Sequence, residues 1–310
     1  MLSTENSISF NSLWIALKTW RKFRVGPLSF VYKFERAIPI GRNKVKRSNT
    51  DRRQDVTGEI EISGQQEPQH ANIRKHRGVA VIVGVGPGFG YALADRLADD
   101  GFEVVLVSRS ADRLSSLVDD IKLRGGKAIA YSCDATLETS VIGLFSLIRQ
   151  NHAIPSLVVY SIQSFGPGAS IDVKVDAFED GWKHNCLGSF LVARSAAREM
   201  LPQAKGTIIL VGSTSSLIGR DGHLNLAVGK FGQRALAQVL ARELWPQGIH
   251  VAHLVIDADI QDDQTPVDEE AHSDPEHIAE TVLHLHNQPK SAWTSEMDIR
   301  PWNEKFWEHC

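Results

Sequence analysis

From Val79 onward the chain alternates short β-branched apolar runs with stretches in which apolar residues return every three or four positions. The runs Val79–Gly84, Glu103–Val107, Ala128–Ser132, Ser156–Ser161, Gly206–Gly212 and Gly248–Ile256 predict six strands. Between the second and third runs, Leu114, Leu117, Val118 and Ile121 fall at helical spacing beside Asp112, Arg113, Asp119 and Lys122, which predicts a helix packing on a sheet. A further helix is expected near Pro275–Asn287, after an acidic, solvated loop over Asp262–Asp274. Strands that alternate with helices in this way predict an α/β domain, a parallel sheet with crossover helices on both faces.

The first quarter of the chain reads differently. Phe10, Leu13, Trp14, Leu17 and Trp20 recur at helical spacing among Lys18, Arg21, Lys22 and Arg24, the pattern of a basic amphipathic helix. Ten Lys/Arg against Glu5 and Glu35 give residues 1–50 a charge of +8, so the −3 of the whole chain leaves about −11 for the rest. Residues 1–40 are therefore expected to be a basic extension, 41–77 a polar disordered linker, 78–302 the folded domain and 303–310 a tail. The extension suits weak membrane-surface contact through residues 8–36, an organelle transit peptide, a partner-docking segment, or an upstream start that is not used. Its longest apolar run, Leu13–Leu17, is far short of the ~20 residues of a membrane span. Cys133, Cys186 and Cys310 form no CxxC or Cys/His spacing, which fits reduced thiols and a cytoplasmic location. No metal is expected, since His284 and His286 stand two apart and point to different sides of a helix.

The chemistry begins directly after the first strand, at Gly84-Val85-Gly86-Pro87-Gly88-Phe89-Gly90, with an amphipathic helix following at once. Strand, glycine turn and helix N-terminus together make a pyrophosphate site: missing Cβ atoms admit the phosphates, and unpaired amides and the helix dipole face their charge. This is the nucleotide-binding corner of a Rossmann-type, doubly wound sheet. The spacing through Gly84, Gly88 and Gly90 resembles that of the short-chain dehydrogenase/reductase family, and the resemblance continues over residues 78–302. It implies that Asp134 contacts the adenine ring, that Asn185 holds a water of a proton relay, and that Ser213 and Lys230 belong to the active site, Lys230 also reaching the ribose. It further implies a small-molecule substrate and a homodimer or homotetramer paired through helices near Asp176–Leu201 and His223–Leu244. Nothing in it points to nucleic acid.

At the end of the second strand an acid would accept a ribose 2′-OH, whereas a 2′-phosphate needs donors and positive charge. Ser108 and Arg109 stand there, so NADP(H) is the expected cofactor. Three departures from the family follow. Leu226 occupies the place of the active tyrosine four residues before Lys230, Tyr160-Ser161-Ile162-Gln163 replaces Asn-Asn-Ala-Gly, and Ile256-Asp257 replaces the Pro-Gly that shapes the nicotinamide pocket. Three readings remain open: an NADP(H)-dependent oxidoreductase with another proton donor, a non-redox enzyme derived from the family, and an NADP(H)-binding sensor or scaffold. His223, seven residues before Lys230, is the titratable candidate for the missing phenol and shares its face if the helix begins early enough. Failing that, the acid is expected at Ser213, Tyr160 or a water held by Asn185.

Overall fold

Each apolar run becomes a strand because it is covered on both sides. The computed structural model describes residues 76–260 and 272–303, all within the unit Pro68–Cys310. Its strands are β1 (Val79–Val83), β2 (Glu103–Ser108), β3 (Lys127–Ser132), β4 (Pro155–Tyr160), β5 (Gly206–Ser213), β6 (Ile249–Ile256) and β7 (Glu296–Ile299). They form one seven-stranded sheet in the order β3-β2-β1-β4-β5-β6-β7, with every pair parallel. All five residues of β1 and all eight of β6 are buried. A parallel sheet covered on both faces demands this, and it is why the strands read as continuous apolar runs.

Alternate side chains of β1 go to opposite layers. Ala80 and Ile82 join a core with Leu93 and Leu97 of α1 (Phe89–Asp99), Leu117 and Ile121 of α2 (Ser115–Leu123) and Val282 of the C-terminal helix. Val79, Val81 and Val83 join the opposite core with α3 (Glu138–Asn151), α5 (Gly188–Met200) and α6 (Leu224–Leu244). Between β4 and α5 lies α4 (Val175–Trp182), continued by a π-helical turn at Lys183–Leu187. The C-terminal helix α7 (Pro275–Asn287) has the bounds that the sequence predicts, with Pro275 at its start and the Asp274 side chain accepting the Glu276 N–H at 2.8 Å. Each fully buried Leu or Ile in these layers stabilises the fold by about 1.5–3 kcal/mol.

Two features were not read from the sequence. Strand β7 is a four-residue edge strand, half-buried and polar at Glu296 and Asp298, too short and too polar to give an apolar run. Strands Asp259–Ile260 and His272–Ser273 pair with each other outside the main sheet. The expectations for residues 1–75, for most of the acidic loop and for the last seven residues lie outside the described residues. Among those described, no helix is long and apolar enough to cross a membrane, and no three His, Cys, Asp or Glu gather as metal ligands.

Candidate functional site

Strand order reverses direction between β1 and β4, and there the C-terminal strand ends open into a crevice, the usual ligand position in a doubly wound sheet. The glycine turn forms its floor. Gly84 has φ of +101°, and a Cβ on it would come within 2.7 Å of Ile162 Cγ1, so only glycine lets the end of β1 lie against the chain leaving β4. Gly88, with φ of +74°, caps α1 without a side-chain bond, and no acidic residue stands in the first turn to compete for the helix dipole. A Cβ on Gly86 would meet nothing within 4 Å, so its open side faces the crevice. Gly90 packs differently: its Cβ would stand 3.1 Å from the Val85 backbone, so it serves close packing of the turn on α1. Phe89 is buried beside it and lines the crevice.

On one side of the turn a cavity of about 790 Å³ is lined by Ser108, Arg109, Arg113, Asp134, Ile162 and His184. Asp134 Oδ1 accepts both the Thr136 N–H (2.9 Å) and the Thr136 hydroxyl (2.6 Å). These bonds, opposed by partial burial and helped by His184 and Arg109, hold its carboxyl below the usual range. The Ser108 hydroxyl is engaged locally, donating to Ser110 O at 2.6 Å and accepting the Ser110 N–H at 3.2 Å. Positive charge at this end comes instead from Arg109 and from Arg113, both exposed. The sequence reading singled out Arg109 and missed Arg113, which lies four residues on, in the 3₁₀ turn Ala111–Leu114.

On the other side a cavity of about 610 Å³ brings together Ser213, His223, Leu226, Lys230, Asp257 and Arg220. Lys230 is 1% exposed, and its ammonium donates to Val211 O at 2.8 Å and Ile162 O at 3.3 Å. Burial pushes its pKa down to about 7. Ser213 ends β5. Its N–H donates to Ser216 Oγ (3.1 Å), while its own hydroxyl, close to the Ser216 backbone in a loose capping arrangement, makes no hydrogen bond of good geometry. Leu226, 4% exposed, stands in the cavity wall where a phenol would have to be. His223 is not on the helix, which begins at Leu224. It has φ of −112° and ψ of 21°, so helical periodicity is not what relates it to Lys230. A turn brings it into the same wall: its ring stacks on Phe165 (4.7 Å, 23°), and Nδ1 bonds Asp221 O at 2.8 Å.

The fold also sets the surroundings of Tyr160 and Asn185. Tyr160 cannot supply the acid, because it is fully buried and its hydroxyl donates to His184 O; burial pushes its pKa far up. Asn185 stands in the π-helical turn, a common mark of functional sites, but its amide is already committed. Nδ2 donates to Ser164 O (2.8 Å) and Gly181 O (2.9 Å), and Oδ1 accepts the Ser164 N–H (3.0 Å), which leaves one lone pair for a water. Asn185 thus clamps the segment after β4. Where the family has Pro-Gly, Asp257 forms an ion pair with Arg300, which also bonds Asp298 at 2.7 Å. Because Arg300 lies 43 residues further along the chain, the pair was not legible in the sequence.

A nucleotide crevice at the reversal of a parallel sheet, with a buried lysine and a partnerless serine at one end, defines an α/β dinucleotide-binding domain of the oxidoreductase kind. The family model of short chain dehydrogenases matches residues 78–262, and the chain belongs to that family. It is similar to an uncharacterized oxidoreductase of Staphylococcus aureus (strain MRSA252), at 27% identity over 226 residues covering 72% of this chain and 96% of that one. It is also similar to sorbitol-6-phosphate 2-dehydrogenase of Escherichia coli (strain K12), at 31% identity over 57% of this chain and 70% of that one. Among solved structures, a short-chain dehydrogenase from Rhodopseudomonas palustris shares 33% identity with a TM-score of 0.65, covering 72% of this chain and 98% of that one. A metagenomic short-chain oxidoreductase solved with NADP has the same fold at 23% identity and a TM-score of 0.65, covering 72% and 97% of the two chains.

Proposed function

We propose that this protein is an NADP(H)-dependent oxidoreductase acting on a carbonyl, its alcohol or an activated alkene, with a proton donor other than the family's tyrosine. The residues fit the dinucleotide: an open-faced Gly86 in a strand–turn–helix corner, a buried lysine lining the same crevice, and a buried serine hydroxyl left without a well-formed bond. The observation that carries the cofactor choice is the absence of a carboxylate at the end of β2, where Ser108, Arg109 and Arg113 line the cavity. Bound NADPH supplies a hydride equivalent to the substrate carbon. The chain's own residues would do the rest: Lys230 would hold the ribose, Ser213 would donate a hydrogen bond to the substrate oxygen, and His223 would give that oxygen its proton. In the reverse direction His223 takes the proton back.

Leu226 favours a second reading, in which the cofactor binds and is reported to a partner without turnover. Anaerobic titration with NADPH and NADH, followed by a carbonyl panel, separates the two. NADPH is expected to bind tenfold or more tighter, and Arg109→Ala to erase most of the difference, since a charge-assisted phosphate contact contributes about 1.5–3 kcal/mol. Equal affinities in the unmutated protein would defeat the cofactor assignment. Tight binding with no NADPH oxidation by any carbonyl would favour the sensor.

A further inference from the structure

The turn leading into α6 carries a charge that nothing among the described residues answers. Arg220 lines the cavity that holds Ser213, His223 and Lys230, and its Nε and Nη2 are both buried with no hydrogen-bond partner among the described residues. Three other arginines of the domain are answered by carboxylates: Arg234 is paired bidentately with Glu296 at 2.6 and 2.7 Å, Arg149 with Glu199 at 2.6 Å, and Arg300 with Asp257 and Asp298. Across the cavity Asp257 is therefore already engaged. The neighbouring Asp221 is exposed and gives its backbone oxygen to His223.

The backbone that carries this side chain is fixed by its turn. The His223 N–H donates to Arg220 O at 3.3 Å, closing a four-residue turn whose third position, Gly222, has φ of +73°. The Gly168 N–H donates to Gly222 O at 3.1 Å, pinning the turn to the segment after β4. Arg220 and His223 are thus presented together on one wall. Two buried N–H groups left without an acceptor are costly, and an acceptor that enters the cavity would answer them. The guanidinium's flat fork of N–H donors matches the paired oxygens of a carboxylate or phosphate.

We propose that the substrate bears an oxyanionic group, a carboxylate or a phosphate, and that Arg220 binds it and sets the specificity of the cavity. The proposal rests on reading this cavity as the substrate site. With the anion on Arg220, the reacting oxygen is directed toward His223 and Ser213, which line the same cavity.

The test is a titration of the full chain, saturated with NADP⁺ so that the phosphate-binding turn is filled, with inorganic phosphate and separately with malonate. Saturable binding of at least one anion is expected, and the one that binds identifies the group. Arg220→Gln should weaken it at least about tenfold, with Arg220→Lys recovering part, while NADP⁺ affinity stays unchanged and the melting temperature does not fall. No saturable binding of either anion, or equal binding by Arg220→Gln, overturns the proposal. Turnover is read separately on matched pairs of a keto acid and its ester and of a hydroxyketone and its phosphate. The anionic member should be preferred, and Arg220→Gln should abolish the preference while sparing the neutral member. Equal use of both members also overturns the proposal. Anion binding that depends on Arg220 without NADPH oxidation removes the reductase reading and leaves the anion site standing.

Discussion

At the scale of single residues, the site is decided by what stands around Lys230. Its ammonium, tied to two backbone oxygens and pushed to a pKa of about 7, has no phenol one helical turn before it, because Leu226 fills that wall. A leucine neither gives nor takes a proton, so the proton must come from elsewhere on the cavity surface. His223 lines that surface, with Nδ1 bonded to a carbonyl oxygen and the ring face stacked on Phe165. With Nδ1–H donating to that carbonyl, Nε2 is the nitrogen that exchanges protons. His223→Ala is expected to lower kcat roughly 100-fold or more while leaving NADPH affinity nearly unchanged, the size typical of a lost general acid. Leu226→Tyr should raise activity toward simple carbonyls, since the new hydroxyl would enter the cavity beside Lys230. Full activity in His223→Ala on a confirmed substrate would move the acid to Ser213 or to a water on Asn185.

At the scale of elements, β6, β7 and α7 enclose three histidines in their neutral form. Burial lowers the pKa of His250 and His253, the latter despite its bond to Glu296 at 2.9 Å. His286, on α7, is packed edge-on to Phe102 with Nδ1 3.0 Å from Thr207 Oγ1, and burial with nearby Arg77 pushes it down to about 4. In the unfolded chain each takes a proton near pH 6.5. Their contribution to stability is therefore complete above about pH 7 and falls as the unfolded chain gains protons that the fold refuses, down to about pH 4 for His286. For His286 alone the full loss is on the order of 3 kcal/mol. Urea unfolding should show a lower midpoint at pH 5.0 than at pH 7.5, and His286→Gln should flatten the difference. A midpoint that does not move over this range would show that these histidines are not held neutral.

At the scale of the whole molecule, the folded domain secures its own first residues. Arg77, two positions before β1, pairs with Asp100, bonds Asn287 on α7 and lies over the Phe102 ring at 5.3 Å. The sheet and the glycine turn both begin at or after Val79. A chain beginning at Ala71 should melt in one cooperative transition and bind NADPH as the full chain does. If it aggregates while the full chain stays in solution, residues 1–70 pack on the domain. A charge of +8 over residues 1–50 against about −11 elsewhere makes such an association, if found, sensitive to salt.

Layer architecture and the nucleotide corner were open to reading from sequence because both rest on local signals. Strands buried on two faces must be unbroken apolar runs, and a turn that approaches phosphate must be glycine where φ is positive, so Val79–Val83 and Gly84–Gly90 declare themselves. Strand β7 did not, because an edge strand with one partner tolerates Glu296 and Asp298 and leaves no periodic trace. The reacting end of the site was only partly legible. Leu226 in the tyrosine's place is visible four residues from Lys230, but its consequence depends on contacts that span the chain. Only the folded structure sets Asp257 against Arg300, buries the Tyr160 hydroxyl on His184, commits the Asn185 amide to Ser164, and places Arg220 in the cavity without a partner. Such pairings are made by whichever side chains the sheet order brings together, and no spacing along the sequence encodes which charge will be left unanswered.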